Sequence, residues 1–550
     1  MSEDKKQGPE MAELRAAIKA VLSSPSEKKL VIAGPGTGKT TLFKQMLELA
    51  PGTPDQRIVL TFINNLKNDL EDDLSELAKV FTLHSYCLGL LHREPALRKS
   101  LSTDFRCCPG LASLIAADWE IITQNDAPQF VSEMRSLKEE NHIPFYLSRG
   151  KYYDAVDFDD TVYRVYKGLS SGHVVPNSYK LILIDEYQDF NALEAGVIDI
   201  LAECSPILIA GDDDQALYSQ LRDASWDHIR LLSNAGEYQV FKLPFCMRCP
   251  KVIVDAVNDV LTQAKELDSL EGRIDKPYKH FPPAKGSDSA KYPKIAHVET
   301  SVQRQKVNYM GRYLTQAIAQ IPSDEIETAL RGGYPAALVI AAQPYRDQVV
   351  SHLESVGYNV DTRRDSDTKL NREVGLLILK VDQFSNLGWR IVLGTDSPSF
   401  LHEAIVATAA GRHRLVDVLP SEYREHVLAE ANAYQPAEEL EAEAETHASV
   451  DIPTVKVTSF EGAKGLSAQH VYIAGLHNGE LPHDSASIKD LEICKFVVGL
   501  TRTRKKCTLI RTRNFAGKWK TPSSFISWID PARLEFIKVD AQYWKDKGHS

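Results

Sequence analysis

Two pairs of side chains in this chain have types and spacing that suit phosphate chemistry. Lys39 and Thr40 close the run VIAGPGTGKTTL, and Asp185 and Glu186 close the apolar run of YKLILIDEYQDFN. In the first, Gly34, Pro35, Gly36, Thr37, Gly38, Lys39, Thr40 and Thr41 follow Leu30–Ala33, so an apolar strand leads into a glycine loop and then a helix start. Glycine allows the backbone to turn with positive φ and aim its N–H groups at phosphate oxygens, next to the positive end of a helix. Lys39 would neutralise the terminal phosphates, and the Thr40 hydroxyl would ligate Mg²⁺. In the second, Leu181–Ile184 reads as a buried parallel strand, and catalytic groups belong at the carboxyl end of such a strand. Asp185 could hold the Mg²⁺, and Glu186 could orient or deprotonate a water that attacks a γ-phosphate. These residues imply a nucleoside triphosphate site.

A third strand, Ile207–Ala210, opens into Gly211, Asp212, Asp213, Asp214 and Gln215. Three successive carboxylates repel one another and are expected in solvent or beside a cation, whereas the neutral amide of Gln215 could sense a γ-phosphate.

The elements that must position these groups fit within a long chain. Its 550 residues exceed one core and imply about two to four domains with ordinary globular composition. No apolar run is long enough for a bilayer and the first residues lack a signal peptide's apolar segment, so a cytoplasmic protein with no membrane partner is expected. Eight scattered cysteines fit reduced thiols. Cys246 and Cys249 form a Cys-x-x-Cys pair, but without a second properly spaced pair they read as incidental thiols rather than a zinc site. The net charge of −11 does not exclude nucleic acid, since a binding groove needs only local Lys and Arg.

The motifs, in their order, resemble those of superfamily 1 helicases of the UvrD/Rep/PcrA type along nearly the whole chain. VIAGPGTGKTTL is similar to the family's first motif, LTFINNLKNDL to its TFTNKAA-like segment and VFTLHSYCLGLL to its TFHS segment. DEYQD (Asp185–Asp189) stands unaltered, and GDDDQALY matches the third motif. LPFCMRCPKVIVDAVNDVL sits where the family has an NYRS-type motif, VTSFEGAKGLSAQHVYIAGL resembles AKGLE, and VVGLTRTRKKCTLI resembles VGVTRA.

The resemblance implies an α/β fold of two RecA-like P-loop domains with parallel sheets, each interrupted by a mainly helical insertion. ATP with Mg²⁺ would lie between them. The expected division is residues 1–90 and 177–240 for the first core, 91–176 for its insertion, 241–386 and 451–550 for the second core, and 387–450 for a reduced accessory insertion ending in an acidic linker. The resemblance assigns Lys39, Thr40, Asp185, Glu186 and Gln215 to the first half, and Arg248 and Arg502 to the second, aimed across the cleft. It places Phe62, Asn64, His84, Ser85, Tyr218 and Lys464 on single-stranded DNA or a tailed duplex, where aromatic faces stack on bases and polar groups hold phosphates. It implies 3′–5′ movement. The alternative is an ATPase switch gated by nucleic acid, within a complex containing a nuclease or polymerase as protein partner.

Several positions depart from the family pattern. The glutamine that reads adenine has no equivalent in MAELRAAIKAV, and Met247 replaces a tyrosine that stacks on the base, so relaxed nucleotide preference is expected. Gln220 and Leu221 stand where the third motif has a tryptophan, Glu461 replaces a His and Ser467 a Glu. HFPPAKGSDSAKYPK reads as a surface loop, and ALVIAAQPYRDQVVSHLESVGYNV as a strand and an amphipathic helix.

Overall fold

The computed structural model describes the chain apart from residues 1–7, 63–66, 68, 69, 72, 100, 139–140, 302, 305–306, 363–369, 436–453 and 548–550. Two wholly parallel sheets organise it, as an α/β fold of two RecA-like halves requires. The first runs Lys79–Thr82, Arg57–Thr61, Leu181–Ile184, Ile207–Gly211, Lys28–Ala33 and Gln239–Leu243 across its width. Its inner strands carry apolar runs, Leu30–Ala33, Ile58–Leu60, Leu181–Ile184 and Ile207–Ala210, because helices cover both faces, the pattern parallel sheets demand. Its last strand runs on to Leu243, past the expected start of the second half at 241.

The second sheet runs Val360–Asp361, Val455–Thr458, Ala337–Ala341, Ala468–Ala474, Thr503–Thr512, Ile295–Thr300 and Leu534–Val539. Ala337–Ala341 is followed by the helix Gln343–Ser355, whose Val349 and Leu353 are buried, whereas Val356 caps the helix and is exposed. HFPPAKGSDSAKYPK corrects the loop reading, since Pro282–Lys291 is a helix. Its two prolines occupy the first turn, where no N–H is needed, and Gly286 meets open space.

Helical segments interrupt both sheets. Between Thr82 and Leu181 lie helices that include Leu111–Thr123, Phe130–Arg135 and Ile143–Tyr153. Between Asp361 and Val455 lie Arg372–Val381, Asn386–Asp396, Leu401–Ala407, Leu415–Val418 and Ser421–Ala433. The two groups share one core, in which Leu111, Ile115 and Phe130 of the first join Trp389, Ile405 and Val427 of the second. Within the seam Asp118, fully buried, accepts from Arg149 Nε at 2.8 Å and from Arg390 Nε at 2.7 Å. The acidic stretch expected after Gln435 lies outside the described residues. No described helix is long and apolar enough to cross a membrane.

Candidate nucleotide site between the two halves

Parallel strands end on the same edge, so Lys28–Ala33, Leu181–Ile184 and Ile207–Gly211 deliver their following residues to one place. Gly36 and Gly38 have φ of 71° and 89°. A Cβ on Gly36 would also stand 2.5 Å from Arg248 Cβ, and one on Gly38 2.4 Å from Met247 Cε. Glycine is thus required at both positions by the turn, and at Gly36 also by the second half pressing on the loop. Thr37 Oγ1 donates to Gly34 O at 2.9 Å and Met247 N to Gly36 O at 2.8 Å. The helix Lys39–Leu49 starts at Gly38 with no side chain on its first N–H groups, which suits an anion.

Lys39 is ion-paired with Glu186, and its Nζ lies 3.5 Å from Asp185 Oδ1. Burial works against the ammonium, but Asp185 and Glu186 outweigh it and hold Lys39 above the ordinary lysine range. Burial likewise opposes the Glu186 charge, and Lys39 with Lys464 keeps the carboxyl well below its ordinary value. Asp185 is raised by burial despite Lys39. Glu186 adopts φ 53°, a left-handed backbone uncommon for a non-glycine residue. Gln188 holds it there, its Nε2 donating to Glu186 Oε2 at 2.6 Å while its Oε1 accepts from Asp212 N at 2.9 Å.

The second half also enters through cationic side chains. Arg502 Nη2 donates to Gln215 Oε1 at 3.0 Å, and Gln215 Nε2 donates to Asp212 Oδ2 at 2.8 Å. Arg502 is anchored on Val498 O and Thr501 Oγ1, both at 3.0 Å, and burial together with nearby Arg248 pulls its guanidinium down to about 10. Lys464 is buried in the cleft with its Nζ 2.6 Å from Asp189 Oδ2 and 3.8 Å from Glu186 Oε2, and it also meets Gln215 O. Burial lifts the Asp189 carboxyl to about 6, with Lys464 opposing. Lys276 Nζ pairs with Asp212, Asp213 and Asp214 at 2.6, 2.7 and 2.9 Å. Arg273 grips Asp214 with two bonds, and Arg230 reaches Asp213 at 3.0 Å. The carboxylate run is therefore buried and filled by an ammonium, with Lys276 in the place a metal ion would take. Beside the loop, Leu14, Phe245 and Phe281 form an apolar cluster with Met11, Ile18 and Met247.

The residues expected on nucleic acid are differently placed. Phe62 is 4% exposed, packed on Phe190 and Tyr218 and covered by the Arg222 guanidinium 4.5 Å from its ring centre. Asn64 lies outside the described residues. His84 is half-buried with Nε2 3.2 Å from Arg222 Nη2; burial, then Arg222, push it down to about 3, so its imidazole is neutral. Ser85 is exposed, its Oγ donating to Thr82 O at 2.9 Å. Tyr218 donates to Glu461 O at 3.3 Å and sits under Lys464, 5.8 Å from its ring centre. Arg222, Gln188 and Lys276 were missed as site residues. Gln188 was visible inside DEYQD, whereas nothing local marks the other two.

A glycine loop, a strand-end carboxylate pair and cations from a second parallel sheet define a P-loop protein with its site between two halves. An AAA domain family matches residues 15–220. ATP-dependent DNA helicase PcrA of Staphylococcus epidermidis is 25% identical over 281 residues, 43% of this chain and 38% of that protein. PcrA of Staphylococcus aureus is 24% identical over 284 residues with the same coverage. The match thus spans 38% of the length of these relatives. The solved structure of S. cerevisiae Dbp5 bound to RNA and ADP BeF3 aligns over 99% of this chain and 97% of its own, with TM-score 0.39 and 10% identity. The chain is similar to superfamily 1 helicases of the UvrD/PcrA kind.

Proposed function

We propose that the chain is an ATP-dependent DNA helicase or translocase that hydrolyses ATP to move 3′–5′ along single-stranded DNA. The observation that carries the reading is the convergence of Lys39, Glu186 and Gln215 from one sheet with Arg248 and Arg502 from the other. In this reading Lys39 leaves Glu186 for the terminal phosphates, which frees the carboxylate to orient water. Arg248 and Arg502 meet the γ-phosphate only when the cleft is closed, so hydrolysis is tied to relative motion of the halves. The Thr40 hydroxyl and Asp185 carboxylate are hard oxygen donors that fit Mg²⁺ and would hold it. Bound there, the ion would neutralise charge on the phosphate oxygens.

The apolar cluster of Leu14, Phe245, Phe281 and Met247 would take the face of the base, and packing on a face is open to any base, which supports a tolerant nucleotide preference. A second reading, a nucleic-acid-gated ATPase switch without robust unwinding, is favoured by the burial of Phe62 under Arg222. Steady-state ATP hydrolysis with no nucleic acid, single-stranded DNA, duplex DNA or single-stranded RNA tests the proposal, with Glu186→Gln as control. Stimulation by single-stranded DNA, lost in the control, is expected; indifference to every nucleic acid would overturn it. Strand displacement on a tailed duplex then separates motor from switch.

A further inference from the structure

The residues around Arg248 contain chemistry that the nucleotide site does not use. Cys246 and Cys249 flank this arginine in the sequence and both are fully buried. Cys249 N donates to Cys246 Sγ at 3.4 Å, and the Tyr278 hydroxyl donates to Pro35 O of the glycine loop at 3.2 Å. A Cβ on Gly36 would stand 3.3 Å from Cys246 Sγ, so this sulfur touches the glycine loop. Cys249 Sγ lies 3.5 Å from Thr501 O, the carbonyl directly before Arg502. The dithiol therefore sits between both arginines of the second half and the loop of the first. Among the described residues the acidic cluster Asp212–Asp214 is the one group with the makings of a metal site, so the two thiols have no further ligands beside them.

We propose that Cys246 and Cys249 form a reversible regulatory disulfide that draws Arg248 off the glycine loop and stops hydrolysis; the effect on hydrolysis rests on the function proposed above. The Cys249 amide already donates to Cys246 Sγ, so the turn brings the two residues together, and closing the bond requires the sulfurs to approach to about 2.05 Å. That tightens the turn that carries Arg248, whose Cβ is packed on Gly36 with no room to spare. The attacking sulfur is also identifiable. Burial opposes a thiolate at Cys246, but donors from Cys249, Tyr278 and the backbone of Cys249 and Arg248 bring it down to about 6. Burial instead pushes Cys87, Cys494 and Cys507 up, which leaves them inert.

The oxidant is hydrogen peroxide. The Cys246 thiolate attacks one peroxide oxygen, the O–O bond breaks, and a sulfenic acid forms as hydroxide departs and takes up a proton to become water. The Cys249 sulfur displaces the sulfenic oxygen as a second water and forms the S–S bond. Two thiols lose two electrons and two protons, and hydrogen peroxide takes both. Burial makes the reaction depend on opening of the cleft, so bound nucleotide slows it.

The test treats the full chain with hydrogen peroxide, with and without an ATP analogue, and follows three readouts. These are mass spectrometry of the peptide containing residues 246–249, ATP hydrolysis, and binding of a fluorescent ATP analogue. The expected result is a Cys246–Cys249 disulfide, a parallel fall in hydrolysis of at least about tenfold, weaker analogue binding, and recovery with dithiothreitol. Cys249→Ser, compared with itself before and after peroxide, should keep its hydrolysis and binding. Cys246→Ser provides the same comparison should the first variant fold poorly. Thiols that remain alkylatable after unfolding, or losses that are equal in the serine variants, would overturn the proposal. A chain that never hydrolyses ATP but loses analogue binding as the disulfide forms would overturn the proposed function and leave the switch standing.

Discussion

The molecule has two seams made of different materials. Across the nucleotide cleft the halves meet through charge and amide contacts, Lys464 on Asp189 at 2.6 Å, Arg502 on Gln215 at 3.0 Å, and Lys276 with Arg273 on Asp212–Asp214, beside one small apolar cluster of Leu14 with Phe245 and Phe281. Between the two helical insertions the contact is an apolar core around Trp389, with one buried ionic knot at Asp118. A polyphosphate can take over the partners of a cation, so the first seam is open to rearrangement by a ligand. Apolar area has no such substitute, and separating the second seam would cost about 25 cal/mol for every Å² exposed. Movement is therefore expected at the cleft, while the insertions travel with the first half as one body.

The sharpest break falls on the cleft. Lys39→Ala should lower hydrolysis by about a thousandfold or more with the native circular dichroism spectrum kept, and a matching loss of fold would show that the lysine is structural. At the other seam, Asp118→Ala leaves Arg149 and Arg390 facing each other in the core and should cost about 3–5 kcal/mol. Calorimetry should then resolve an early transition of the insertions; one unshifted transition would refute a fixed accessory body. A non-hydrolysable ATP analogue at about a hundred times its dissociation constant should raise hydrogen-exchange protection up to about 100-fold around residues 212–215 and 464. The same ligand should leave Leu111–Thr123 and Asn386–Asp396 unchanged, and equal protection at both seams would erase the contrast.

A smaller effect concerns Glu194, which caps the helix Ala192–Cys204 and lies 3.4 Å from Arg222. Burial raises its carboxyl from 4.5 to about 7, with Arg222 opposing. The fold favours the protonated form, so this contribution is complete below 4.5 and is lost as pH rises through about 7. Denaturant titrations should lose stability on the order of 2 kcal/mol across that window, and Glu194→Gln should flatten the loss. The smallest difference should be between nucleotides: kcat/KM for GTP and ATP within about tenfold, because contact of apolar side chains with a base discriminates weakly. A preference of several thousandfold would point to a base-reading group outside Leu14, Phe281 and Met247.

Local chemistry explains what could be read before the fold was known. The glycine loop and the strand ending in Asp185 each carry their meaning in consecutive residues, and the parallel sheets follow from apolar runs between them. Pairings over long separations were not legible. Nothing near Lys276 announces that it will neutralise three aspartates more than sixty residues earlier. Arg222 over Phe62 turns an expected base platform into a covered ring, and Lys464, expected on DNA, is drawn into the cleft by Asp189. Pro282–Lys291 reads as a loop from its sequence because two prolines mark a helix start as readily as a loop.

The shared core of the insertions also bears on how the chain is made. As it emerges from the ribosome, residues 83–170 are complete before Arg372–Ala433 appears, and the later helices meet a finished apolar surface. At that moment the second sheet still lacks Val455–Thr458, Ala468–Ala474 and Thr503–Thr512. The nascent second half is thus expected to moor on the first before its own central strands exist, and this would shorten the search for the closed molecule.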